Sequence, residues 1–419
     1  MYRLNLVPLL LAAACGTDAE PTTTGSPASS YRGQLVDTLL MGPADNAEVV
    51  RVVPNTDRAV LVSSKARKLT LLQASETGLT SLREAVLLAG DPGESELTSI
   101  AISPDGTWAA VTRTILTFDE QGAQTRCGGE VLLVDVTDGS AFGSVLATVS
   151  VGPMPDSVDI APNGQVLAVG NERDGPDAWG KCDVLGAEAS ISVVDVTGGP
   201  AAAVEIYRIR MIDTDTGPRE PESVCFGADS DLVAVTLQDS HELALFRVSA
   251  LSAGGGATSA DLQIVALPVN ALGAGPWPDG VTRFADGTGR ELFAIAGEWN
   301  DTFTLVDTQG TVVASVSLDP ADLPDSLPRV LAAGSPRFSP DSIAAFVREG
   351  RSYLGFTLRH SGAVGVWDVT DPAKIHFAGA IAVGKNEQGG SDEDGSTIRP
   401  EGISASPDGS WIIVANEGE

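Results

Sequence analysis

Acidic residues recur in this sequence at two fixed registers, and those registers are where it could do chemistry. Counting back six residues from each of seven turn prolines, or their equivalents, gives Glu48, Thr98, Asp156, Glu222, Asp279, Gly334 and Glu401. Five of the seven are acids. At the end of the strand after the turn, three of the repeats hold an acid: Glu172, Glu298 and Glu417. Three repeats thus place two carboxylates on neighbouring strands: Asp156 with Glu172, Asp279 with Glu298, and Glu401 with Glu417. Carboxylates held close raise each other's pKa unless a cation neutralises them. Oxygen ligands of this kind suit Ca²⁺ or Mg²⁺, so Asp156, Glu172, Asp279, Glu298, Glu401 and Glu417 are candidate ligands for a hard divalent cation, with Ca²⁺ favoured. The competing reading is structural, with each acid accepting backbone hydrogen bonds or pairing with Arg113, Arg173 or Arg348.

Other signatures are thin. In the loop "NEQGGSDEDGSTIRPE" (386–401), Asp392, Asp394, Gly395 and Glu401 fall at positions three, five, six and twelve of a calcium-loop template, but Gly390 stands at position one and argues against an EF-hand. The three histidines, His241, His360 and His376, lack metal-ligand spacing. There is no G-x-S-x-G elbow and no phosphate-cradling glycine loop, so a Ser-His-Asp hydrolase is not expected and no catalytic residue is assigned.

These registers require repeated strand pairs to hold them. An apolar run, a turn of the "SPDG" kind and a second apolar run recur at 52–62, 101–111, 160–169, 226–235, 284–295, 337–347 and 404–414. Third strands ending in an aspartate turn follow in several repeats, as in "LLVDVTDG" (132–139) and "GVWDVTDP" (365–372), with a fourth strand such as "SVLATVSVGP" (144–153). Four strands per fifty to seventy residues is the pattern of a β-propeller, so the expectation is an all-β, seven-bladed propeller over 33–419. The last repeat shows only two strands, and "GQLVDTLLMGP" (33–43) matches the fourth-strand pattern, so an N-terminal strand is expected to close the ring in the last blade. Either that blade is short or the chain is a truncated form of a longer protein.

"VGPMPDSVDIAPNGQVLAVGNERD" (151–174) and "RPEGISASPDGSWIIVANEGE" (399–419) resemble the repeats of choice-of-anchor I domain proteins and, more loosely, of YVTN-type, lactonase-like propellers. The resemblance implies an extracytoplasmic propeller and leaves activity open. This chain departs from the pattern in carrying an N-terminal anchor signal and in ending where relatives often continue.

That signal is "MYRLNLVPLLLAAACGTDAE", with one basic residue, an apolar run and small residues up to Cys15. It resembles a bacterial lipoprotein signal: 1–14 removed, Cys15 lipidated, 15–32 a flexible tether. An ordinary secretory signal is the alternative. Gly16 resembles proteins sorted onward to an outer membrane, if the host is Gram-negative. An exported compartment permits disulfides, and Cys127 and Cys182, both ahead of third strands in adjacent repeats, are the candidate pair against two free thiols; Cys225, inside a strand, reads as an inert core thiol. With 56 acidic against 26 basic residues, net −30, the surface repels nucleic acid and anionic lipid. The expected partners are a protein or a small-molecule ligand, with no nucleic acid and membrane contact only through the lipid, in a monomer. The function expected is a binding scaffold acting through its channel-mouth face; the alternative is a divalent-cation-dependent hydrolase of lactonase or phosphoesterase type.

Overall fold

The computed structural model describes residues 3–11, 31–40, 47–75, 78–89, 95–120, 124–173, 182, 187–215, 217–252, 256–271, 273–318, 338–383 and 399–417. Strands β1 (Arg3–Leu11), β2 (Tyr31–Gly33) and β3 (Asp37–Leu40) lie at the N-terminus. Blade I is β4 (Ala47–Val52), β5 (Arg58–Ser63), β6 (Lys68–Ser75) and β7 (Gly78–Val86), and blade II is β8 (Leu97–Ile102), β9 (Trp108–Phe118), β10 (Gln124–Asp135) and β11 (Val145–Val151). Blade III is β12 (Pro155–Ile160), β13 (Val166–Asn171), β14 (Ser190–Asp195) and β15 (Val204–Arg210). Blade IV is β16 (Pro221–Phe226), β17 (Leu232–Leu237), β18 (Glu242–Arg247) and β19 (Gln263–Ala266). Blade V is β20 (Pro278–Ala285), β21 (Glu291–Gly297), β22 (Thr302–Asp307) and β23 (Val312–Ser317). Blade VI is β24 (Pro340–Arg348), β25 (Arg351–Leu358), β26 (Ala363–Asp368) and β27 (His376–Ala382), and the chain finishes with β28 (Arg399–Ala405) and β29 (Trp411–Glu417).

The protein is an all-β propeller with six four-stranded blades, not the seven expected. The segment carrying the seventh turn signal supplies only β28 and β29, so it builds no blade of its own. It enters a five-stranded composite sheet, β2-β1-β29-β28 with β3 also on β1. That sheet closes the ring, because β28 packs against β24 on one side and β4 on the other. Asp37–Leu40, within the segment read as a fourth strand, takes that fourth position by pairing with β1, from Arg3 opposite Leu40 to Leu6 opposite Asp37. The place next to β29, for which the sequence shows no third strand, is filled by Arg3–Leu11, from Arg3 opposite Asn416 to Pro8 opposite Trp411.

Burial follows position in the blade. Second and third strands are sandwiched between neighbouring blades and are buried on both faces, as in β17 and β22. Outer strands such as β15 alternate exposed and half-buried residues because one face meets water. Third strands end in aspartates whose carboxylates accept turn amides: Thr137 N to Asp135 Oδ1 at 2.9 Å, Thr197 N to Asp195 Oδ1 at 2.8 Å, and Thr370 N to Asp368 Oδ1 at 3.0 Å. These aspartates are turn formers.

One turn was misplaced by its sequence. "SPDS" (339–342) is not a turn between two strands: Pro340–Arg348 is one continuous strand, and the turn is Glu349-Gly350, with φ of 51° and 75°. Two left-handed residues between paired Arg348 and Arg351 make a tight two-residue hairpin of the kind that matches strand twist.

Candidate functional site

Correcting that turn changes the acid register. Gly334 lies outside the described residues, and the residue at that position in blade VI is Asp341. Five innermost strands open on the same tripeptide: Pro155-Asp156-Ser157, Pro221-Glu222-Ser223, Pro278-Asp279-Gly280, Pro340-Asp341-Ser342 and Pro400-Glu401-Gly402. With Glu48 of blade I, six of seven ring positions are acidic, Thr98 being the exception. That recurring Pro-acid-small signature was present in the sequence and would have found Asp341.

Each of these strands carries a register shift within its first few residues, for example between Pro221 and Val224, Pro278 and Val281, and Pro400 and Ile403. A bulge at a strand start turns the local side chains, here toward the channel. The third residue must be small because the innermost strands nearly touch: a Cβ on Gly402 would lie 2.6 Å from the Glu48 carbonyl oxygen, and one on Gly280 2.6 Å from that of Asp341. Hydroxyls tie neighbouring blades at this level, with Thr98 Oγ1 donating to Pro155 O at 2.5 Å and Thr236 Oγ1 to Asp279 O at 2.8 Å.

The residue just after the second strand is held in the same layer. Met154, Trp277 and Ser339, each directly before a Pro-Asp pair, have φ of 47°, 46° and 52°. Their carbonyls receive the amides of Glu172 (2.9 Å), Glu298 (3.1 Å) and Arg359 (3.0 Å). Left-handed backbone at non-glycine residues costs of order 1–3 kcal/mol and is characteristic of functional sites. Two of the three acid pairs read from the sequence, Asp156 with Glu172 and Asp279 with Glu298, belong to blades of this kind. The side chain of Glu417 is outside the description, so the pair with Glu401 is not placed. In blade VI the corresponding pair is Asp341 with Arg359, an acid with a base.

Glu48, Asp156, Glu222, Asp279, Asp341, Glu401 and Arg359 all line one cavity of about 220 Å³ at the channel mouth. Arg359 Nη2 is 2.8 Å from Glu401 Oε1, and its Nη1 is 3.4 Å from Glu298 Oε1 and 3.5 Å from Asp341 Oδ2. The arginines named from the sequence sit elsewhere: Arg113 pairs with Glu130 at 3.0 Å, Arg173 with Asp213 at 3.4 Å, and Arg348 donates to Gly409 O at 2.9 Å. Burial, then the charges of Glu172, Asp156, Asp279 and Glu298, lifts the Glu222 carboxyl well above its ordinary range. Asp279 is lifted by burial and by Asp341, Glu298 and Asp156, against the opposing pull of Arg359. Asp341 is pushed up to about 6 by burial, with Arg359 holding it down. The Glu401 carboxylate keeps Arg359 charged.

Among the described residues no three His, Cys, Asp or Glu side chains are grouped so as to hold a metal ion. The acids encircle the mouth rather than converging on a point. Asp392, Asp394 and Gly395 of the acidic loop, and Cys15, fall outside the described residues. Cys127 and Cys182 form a disulfide joining blade II to the segment before β14, with Cα atoms 5.4 Å apart, and Cys225 is a buried free thiol.

The decisive comparison concerns the first three blades. Residues 48–216 match the family model of the choice-of-anchor I domain. This agrees with the resemblance seen in the repeats, and with the disulfide it indicates an extracytoplasmic or cell-surface protein. No curated protein matches the sequence. Among solved structures, the periplasmic gluconolactonase of Pseudomonas aeruginosa superposes with a TM-score of 0.56 at 15% identity, covering 89% of this chain and 88% of that one. Hydrazine synthase of Kuenenia stuttgartiensis gives 0.54 at 14% identity, covering 90% and 94%. The β-propeller domain of Myceliophteria thermophila Cps50 gives 0.52 at 12% identity, covering 88% and 96%. Three such different proteins sharing one architecture establish the fold alone.

Proposed function

We propose that this propeller binds a cationic group, carried by a small molecule or a partner protein, at its acidic mouth, and releases it unchanged. The observation carrying this reading is the charge imbalance there: eight carboxylates, Glu48, Asp156, Glu172, Glu222, Asp279, Glu298, Asp341 and Glu401, lie around the mouth with Arg359 among them. A bound cation relieves their repulsion and lets Glu222 and Asp279 ionise. Acceptors distributed around a ring suit an ammonium or guanidinium better than Ca²⁺, which needs several oxygens converging at 2.3–2.6 Å. Calcium is the inorganic rival. In this reading the protein is a monomer at the cell envelope; lipid on Cys15 would tether it after a cleavage that also takes β1 out of the composite sheet.

Calorimetric titration with n-pentylamine tests the reading. Saturable binding that weakens at least tenfold in Glu222→Gln/Asp279→Asn supports it, and absence of saturable binding overturns it. The mass of the N-terminal peptide of exported protein tests the lipid.

A second reading is hydrolysis, favoured by Asp341, which lines the mouth cavity and whose carboxyl burial pushes up to about 6, toward the range of a general base. Turnover of a lactone or phosphoester panel that is lost in Asp341→Asn would establish it over simple binding.

A further inference from the structure

Below the acidic ring the channel carries a buried arginine. Arg51, three residues along β4 from Glu48, lines both the mouth cavity and an inner cavity of about 290 Å³. Three residues of strand span about 10 Å, so its charge lies one layer deeper than the carboxylates. Arg51 Nη1 donates to Val50 O at 3.1 Å and to Ile403 O at 3.4 Å. Among the described residues it forms no ion pair, and its Nε and Nη2 hydrogens meet no protein acceptor. Asp159, the acid of the inner cavity, is otherwise engaged: its two oxygens accept Ile160 N at 2.8 Å and Phe226 N at 2.7 Å. Asp159 favours the Arg51 cation through space without pairing with it, so the buried guanidinium keeps open donors that a negatively charged group can fill.

Two further groups lie between the layers. Ser157 lines the mouth cavity, is 8% exposed, and its hydroxyl has no hydrogen-bond partner. Glu222 Oε2 is also buried without a partner. Arg359 pairs with Glu298, Asp341 and Glu401, so Glu222, Ser157 and Arg51 line the same cavity without an ion pair to it.

We infer that the mouth site takes a dipolar ligand, an ammonium joined by a short flexible chain to a carboxylate, with the ammonium among the mouth acids and the carboxylate on Arg51. Ser157 hydrogen-bonds the polar part between them. A carboxylate is favoured over a phosphate because its single charge is repelled less by the acids it must pass. The inference rests on the cation-binding reading above and names the ligand class of that site.

Calorimetry on the full chain tests it with matched probes, 6-aminohexanoate and n-pentylamine, which differ by one carboxylate. The amino acid is expected to bind at least tenfold more tightly. In Arg51→Gln that preference is expected to fall below threefold, and in Arg51→Lys to recover in part, because a lysine retains the charge but not the planar fork. Equal binding of the two probes by the unaltered protein overturns the inference while leaving the cation reading intact; binding of neither overturns both. A preference that survives Arg51→Gln in a folded variant also overturns it. The comparison on the unaltered protein decides the matter even if the variants do not fold.

Discussion

Arg359 and Glu401 form a 2.8 Å ion pair between blade VI and the composite sheet, so one arginine both offsets part of the mouth's negative charge and joins the last blade to the closing strands. Its other nitrogen faces Glu298 of blade V and Asp341 of its own blade.

Arg359→Gln leaves those three acids facing one another. Removing one partner of a largely buried pair costs about 3–5 kcal/mol, and the partial exposure of Arg359 places the expected loss near the lower end, about 3 kcal/mol at pH 7.5. At pH 5 the loss should shrink because the acids can protonate. Denaturant unfolding at the two pH values checks this, and equal losses would contradict it.

The lifted carboxyls set a pH profile. Groups whose folded pKa is raised bind more protons in the folded than in the unfolded chain, so their contribution is complete below about pH 4 and is lost as pH rises through the folded value. For Asp341, displaced to about 6, the loss is roughly 2–3 kcal/mol. Glu222 and Asp279 add to it in the same direction. Turn acids such as Asp229, held down to about 2, act in the opposite sense only below about pH 4. Melting temperature is therefore expected to fall from pH 4.5 to 7.5, and Glu222→Gln/Asp279→Asn to flatten the curve. A melting temperature rising across that range would refute the account.

Calcium and amines should rank differently at the mouth. A ligand specific to the folded form adds about 2.7 kcal/mol at a hundred times its dissociation constant. Because the described acids do not group in threes, millimolar calcium is expected to raise the melting temperature less than equimolar 6-aminohexanoate, and magnesium less again. A calcium shift larger than the amino acid's would restore the metal reading.

The Cys127–Cys182 bridge closes a separation of 55 residues, which stabilises by about 4 kcal/mol through chain entropy. Cys127→Ser/Cys182→Ser should lose most of that and become insensitive to reductant, whereas the unaltered protein melts earlier once reduced. Identical melting with and without reductant would show that the bridge contributes nothing.

Much of this was legible in the sequence. Alternating apolar runs and aspartate turns gave the propeller, because strand pairing and turn chemistry are local. Asp156 and Asp279 line the mouth cavity because strand register carries them there. Asp341 was missed because Pro340-Asp341-Ser342 has the composition of a turn, and only Glu349-Gly350 further on reveals where the hairpin bends. Arg359 was overlooked because the second register was searched for acids alone. Arg51 carried no signal at all: its meaning comes from carboxylates on other strands being occupied elsewhere, which no single strand records.

The composite sheet is the least local part of the fold: Pro8 lies opposite Trp411, whereas each four-stranded blade is built from one continuous stretch of sequence. Pairing distant segments must first meet the entropy of closing a long loop, so the six blades are expected to form before the ring closes, and closure to set the folding rate.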